Sequence, residues 1–82
     1  MKTDEVIHMI LEELAKAEKQ HPGWPTDPVH AGAIVAEESG ELTRATLIHA
    51  YEQDNSHGML EEAVQTGAMA IRFLMNLERY EK

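Results

Sequence analysis

Cysteine is absent from the 82 residues, so neither a disulfide nor a cysteine-ligated metal can hold the fold together. A chain this short buries only about 60% of the surface it exposes when unfolded, and association is the common remedy. A homo-oligomer, dimer or tetramer, is therefore expected. Positive charge is also scarce: 7 basic residues face 15 acidic ones, for a formal charge of −8. Such a chain repels nucleic-acid polymers and anionic membranes, and no Lys/Arg run offers a local exception. No apolar run approaches the roughly 18 residues of a membrane span. The amino-terminal stretch carries Asp4, Glu5, Glu12 and Glu13, which a signal peptide would not. One cytoplasmic domain spanning residues 1–82 is expected, with no nucleic-acid polymer and no membrane as partner. Strand signals are missing too, since β-branched residues are sparse and apolar/polar alternation is not found. The fold class these absences leave is all-α.

What is present is helical periodicity. From Asp4 to about Gln20, Ile7, Ile10, Leu11, Leu14 and Ala17 recur at three- and four-residue steps, with Asp4 and Glu5 well placed in the first turn. The three prolines cluster in "HPGWPTDP" and end this helix. Asp27 then suits an N-cap and Pro28 the first helical position. A second helix should reach His49 or Tyr51. The polar stretch "EQDNSHG" holds the next turn, with Asp54, Asn55 or Ser56 as caps. A third helix fills the chain to about Tyr80. The expected protomer has three helices, the last two forming an antiparallel hairpin that completes a bundle on oligomerisation.

The second helix poses a problem in "AIVAEESGELTRATLI". At about 100° per residue, Glu38 and Glu41 lie within about 40° of Ile34, inside the stripe shared by Ala45 and Ile48; Glu37 sits at its edge. Burying unpaired carboxylates is costly, and adjacent ones repel. Basic partners, protonation or a bound cation must compensate. Arg72 lies inside an apolar run of helix three, Lys16 and Lys19 belong to helix one, and Arg44 is read as lying on another face of helix two. A hard divalent cation is the better compensator, because oxygen ligands at i and i+3 can share it.

A second acidic pair, Glu61 and Glu62, opens helix three. Beyond it the helix is apolar on most sides: Leu60, Val64, Ile71, Leu74 and Met75 form one stripe, and Met69, Phe73 and Leu77 cover another direction. Such a helix needs cover on two sides. Pairing Glu41 with Glu62 in an antiparallel register centres the turn between Tyr51 and Glu52, as the helix ends require. The same register sets Glu38 opposite Gln65. Glu61 projects about 100° from Glu62 and is left outside the group.

"EESGE" resembles the EExxE motif of MazG-like nucleoside triphosphate pyrophosphohydrolases, within the all-α NTP pyrophosphatase superfamily. In that family an ExxD motif follows on the next helix. Glu38 and Glu41 match metal-binding glutamates, Glu37 completes the first motif, and Glu62 matches the glutamate of the second. The resemblance covers about residues 20–77; "HPGWPTDPVHA" and "EEAVQTGAMAIRFL" are also similar to compact members. Gln65 departs from the pattern, standing where the family has Asp. An amide oxygen ligates Mg²⁺ but brings no charge.

The resemblance implies a house-cleaning hydrolase that converts a nucleoside triphosphate to the monophosphate and pyrophosphate with Mg²⁺ or Mn²⁺. Glu38, Glu41, Glu62 and Gln65 would hold the metal, with Glu38 or Glu37 as general base. The alternative is a non-catalytic degenerate relative, a nucleotide-binding or oligomeric interaction module. A purely helical interaction protein, indifferent to divalent metal, is a third reading. Trp24 either stacks on a base or caps a small core. His30 either contacts phosphate or is a partly buried structural histidine. Lys16 and Lys19 either meet phosphates or complement their helix dipole. His8, His21, His49 and His57 show no metal-ligand spacing. Gly40 and Gly67 each cost about 1 kcal/mol inside a helix relative to Ala, so they mark close helix crossings or neutral surface.

Overall fold

The computed structural model describes residues 1–52 and 57–81. Three α-helices, α1 (Thr3–Gln20), α2 (Pro28–Glu52) and α3 (His57–Met75), are followed by a short 3₁₀ turn, η1 (Leu77–Tyr80), and the described residues contain no strand. No described helix is long and apolar enough to cross a membrane.

Local chemistry sets the helix ends. At the start of α1, Glu5 accepts the Lys2 backbone N–H at 3.4 Å. Its last turn closes with the His21 amide on the Ala17 carbonyl, before Pro22 removes the next donor. The Asp27 carboxylate accepts the Val29 amide at 3.0 Å, which is the N-cap geometry with Pro28 in the first helical position. The proposed caps Asp54, Asn55 and Ser56 lie outside the described residues.

Helix three ends sooner than periodicity suggests: the α-helix stops at Met75 instead of running to Tyr80. Asn76 is the reason. Its side-chain amide donates to the Arg72 carbonyl at 2.8 Å, while its own N–H bonds the Phe73 carbonyl at 3.1 Å. The i−4 acceptor is thereby occupied and the chain tightens into a 3₁₀ turn. This redirection carries Tyr80 back toward the loop after α1, with its ring 5.6 Å from that of Phe73.

The long helix α3 packs against both α2 and α1. The Gly67 backbone is met by Ile10, whose Cδ1 would lie 3.1 Å from an added Cβ, so this glycine permits close approach of α1. Nothing lies within 4 Å of the corresponding position at Gly40, where the close-crossing reading does not hold within this chain. Between α2 and α3, Gly58 faces Ala45, and Gly32 and Val35 share a groove with Ala70, Phe73 and Leu74.

The core is slight. Leu14, Ala31 and Ala68 are its only buried apolar residues among those described. Leu74 and Met75 are 62% and 55% exposed, so that stripe of α3 lacks cover. The radius of gyration is 14.0 Å, against about 12 Å for a compact chain of this length. The three helices make an extended, incompletely covered assembly.

Candidate functional site: a carboxylate cluster between two cavities

Glu38 and Glu41 stand one turn apart on α2 and face Glu62 on α3. One carboxylate oxygen from each lies within 4.8 Å of the others. Glu38 and Glu62 are half-buried, and the Oε2 of each is buried without a hydrogen-bond partner. Glu37 is exposed and stands outside the trio.

The cluster bears on its own ionisation. Burial, then the charges of Glu41, Glu37 and Glu13, raises Glu38 above the carboxylate value of 4.5. Burial also raises Glu62, assisted by a side-chain hydrogen bond with Glu41 and by repulsion from Glu41, Glu38 and Glu61. A hydrogen bond between two carboxyl groups needs one shared proton. Two orphaned oxygens within a negatively charged group are what a divalent cation would satisfy, and carboxylate oxygens are its preferred ligands. The residues present therefore fit Mg²⁺ or Mn²⁺.

Two cavities border the trio. The first, about 360 Å³, is lined by Glu38, Gln65, Glu13, Trp24, Ile34 and Met69, among others. Gln65 thus lines the same cavity as Glu38. The second, about 300 Å³, holds Glu41, Glu62 and Arg44 with Ala45, Ile48 and Gly58. Arg44 therefore does not lie on a separate face of α2. It sits about 60° from Glu41 around the helix, close enough to share a cavity, yet forms no ion pair with Glu41 or Glu62.

Trp24 forms part of the first cavity's wall and is held firmly. Its indole N–H donates to the Tyr80 hydroxyl at 2.8 Å, and that hydroxyl donates to the Pro25 carbonyl at 2.8 Å. Arg79 donates to the Trp24 carbonyl at 3.0 Å. Arg72, only 4% exposed, donates to the carbonyls of His21 and Gly23 and lies 5.0 Å from the indole centroid. Trp24 is both a fixed structural residue and a cavity wall.

The remaining expected ligand contacts fall apart from the trio. Lys16 lines a separate cavity of about 380 Å³ with Glu12, Glu13 and Glu61, which contains none of the three clustered glutamates. Lys19 is exposed and lines neither cavity beside the trio. His30 is exposed as well, which corrects the reading of it as a partly buried structural histidine: the α2 stripe is covered at Ala31 and not at His30. Glu13 and Arg44 are the two residues that sequence reasoning missed. Both flank an apolar stripe: Glu13 lies about 60° from Ile10 and Arg44 about 80° from Ile34, near the edge that Glu37 marks.

No protein-family model matches the chain, and no curated protein or solved structure is significantly similar to it.

Proposed function

We propose that this protein is a MazG-like nucleoside triphosphate pyrophosphohydrolase dependent on Mg²⁺ or Mn²⁺. One observation carries the reading: three glutamates from two helices converge within 4.8 Å, two of them with buried, unpartnered oxygens. Such a group destabilises a protein that has no use for it. The sequence motif that supplies it resembles one whose glutamates bind metal.

In this reading α2 and α3 form an antiparallel hairpin, supported by the pairs Ala45 with Gly58 and Glu41 with Glu62. A second copy covers the apolar stripe around Leu74 and Met75, in a dimer or tetramer. Glu38, Glu41 and Glu62 hold the cation, with the Gln65 amide beside them. The bound metal supplies charge neutralisation at the attacked phosphorus and a more acidic water. Glu38 accepts the water's proton at Oε2, which no other group engages. Glu37, exposed and outside the trio, is the alternative base. Water oxygen bonds to the α-phosphorus as the bond to the bridging oxygen breaks, releasing monophosphate and pyrophosphate.

The test is a panel of nucleoside triphosphates with millimolar Mg²⁺, resolved by chromatography. Monophosphate and pyrophosphate should appear together, and Glu38→Gln should lower the rate by about 100-fold or more. Gln65 favours a second reading, a nucleotide-binding module without turnover. A folded protein that binds nucleotide with Mg²⁺ yet releases no pyrophosphate would select it. Thermal stability indifferent to both Mg²⁺ and EDTA would reject both in favour of a helical interaction protein.

A further inference from the structure

We propose that Arg44 receives the terminal phosphates of the bound nucleoside triphosphate, so that the substrate lies in one direction across the carboxylates. The proposal rests on the hydrolase reading above and adds to it the polarity of the substrate and the residue that sets it.

The two cavities beside the trio differ in chemistry. One offers the indole of Trp24 with Ile34 and Met69, a wall suited to a planar ring. Its arginine, Arg72, is committed: the guanidinium is buried, donates to two backbone carbonyls and lies against the indole. The other cavity holds Arg44, which is exposed and shares the space with Glu41 and Glu62 without pairing to either.

A protein of charge −8 must supply local donors to a polyanion. A guanidinium does so through paired N–H groups matched to phosphate oxygens. Of the two arginines lining these cavities, Arg44 alone has that capacity to give. The nucleobase therefore goes toward Trp24, the α-phosphate lies over Glu38, Glu41 and Glu62, and the β- and γ-phosphates extend toward Arg44. Pyrophosphate then leaves on the side away from the indole.

The substrate's two products separate these ends, so calorimetric titration with each is the test, in the presence of Mn²⁺. Arg44→Ala should weaken pyrophosphate binding by about tenfold and leave a deoxynucleoside monophosphate within about twofold. Tyr80→Phe keeps the ring contact with Phe73 but removes the hydroxyl that holds the Trp24 N–H. It should weaken the monophosphate and spare pyrophosphate. Circular dichroism checks that both variants fold; Arg44 is exposed, so its replacement leaves the fold intact. Unchanged pyrophosphate affinity in Arg44→Ala, or equal loss of both products, would overturn the proposal while wild-type turnover kept the hydrolase reading standing. A wild-type protein that turns over no triphosphate and binds neither product would remove both together.

Discussion

The two ends of the first cavity follow opposite rules. Around Trp24, the indole N–H, the Tyr80 hydroxyl and the Arg72 guanidinium all have partners. At the other end Glu38, together with Glu62 from the neighbouring cavity, keeps a buried oxygen with none, and like charges crowd both. The satisfied end is what a small chain with three buried apolar residues among those described needs to stay folded. The unsatisfied end works against folding. The contrast lies within one small protein: the polar groups around Trp24 find partners inside the chain, and two carboxylate oxygens of the cluster do not.

The largest effect is expected from Arg72→Leu, which keeps most of the side-chain volume and deletes the charge. It should lower the free energy of unfolding by about 3 kcal/mol, because two carbonyls lose their donor and the indole loses its cation. The midpoint of urea denaturation reads the loss. A fall below about 1 kcal/mol would mean that the loop 21–25 is held mainly by Tyr80 and Arg79.

At the other end the sign reverses. Glu62→Gln should raise the stability of the metal-free protein by about 1 kcal/mol, since it relieves repulsion within the trio. It should also reduce the rise in thermal midpoint that Mg²⁺ gives the wild type.

The pH dependence sharpens the same point. Both Glu38 and Glu62 are raised above 4.5 in the folded chain, so folding strengthens their hold on protons. Their contribution to metal-free stability is fully present below 4.5 and is lost as pH rises through the raised values. Denaturation across that range should show a slope that Glu38→Gln/Glu62→Gln removes. Bound Mg²⁺ should shrink it too, because a metal competes with protons for the same oxygens. A slope identical in wild type and double variant would show that these carboxyls titrate normally.

The smallest expected effect comes from two glycines. Gly40→Ala gains helix propensity of about 1 kcal/mol with no contact to oppose it. Gly67→Ala should gain close to nothing, because its new methyl group presses on Ile10. Thermal midpoints of the two variants measure the difference, and equal gains would show that α1 yields at no cost.

Much of this arrangement is written locally in the chain. Asp27 before Pro28 marks the start of α2, and the spacing of Glu38 and Glu41 puts both on one stripe. Glu62 joins them from the next helix. What is not legible depends on distant positions meeting. The link from Trp24 to Tyr80 spans most of the chain and requires the helix to end at Asn76, where a side-chain bond to the Arg72 carbonyl overrides an otherwise helical sequence. Glu13 reaches the cavity only because α1 packs on α3 at Gly67. Arg44 escaped for a simpler reason: a helical wheel gives directions, and a long side chain crosses 60° of arc with ease.

The fixed indole has a practical consequence. Trp24 is the only tryptophan in the chain, so its fluorescence comes from a single place, the wall of the first cavity. With a guanidinium against the ring and a hydroxyl on its N–H, the fluorophore starts from a defined electrostatic setting and not from an average over rotamers. A ring stacked on it would quench the emission, and a disturbance of the C-terminal turn would shift the colour. The molecule thus carries an optical gauge that tells an occupied cavity from a distorted one, with no label attached.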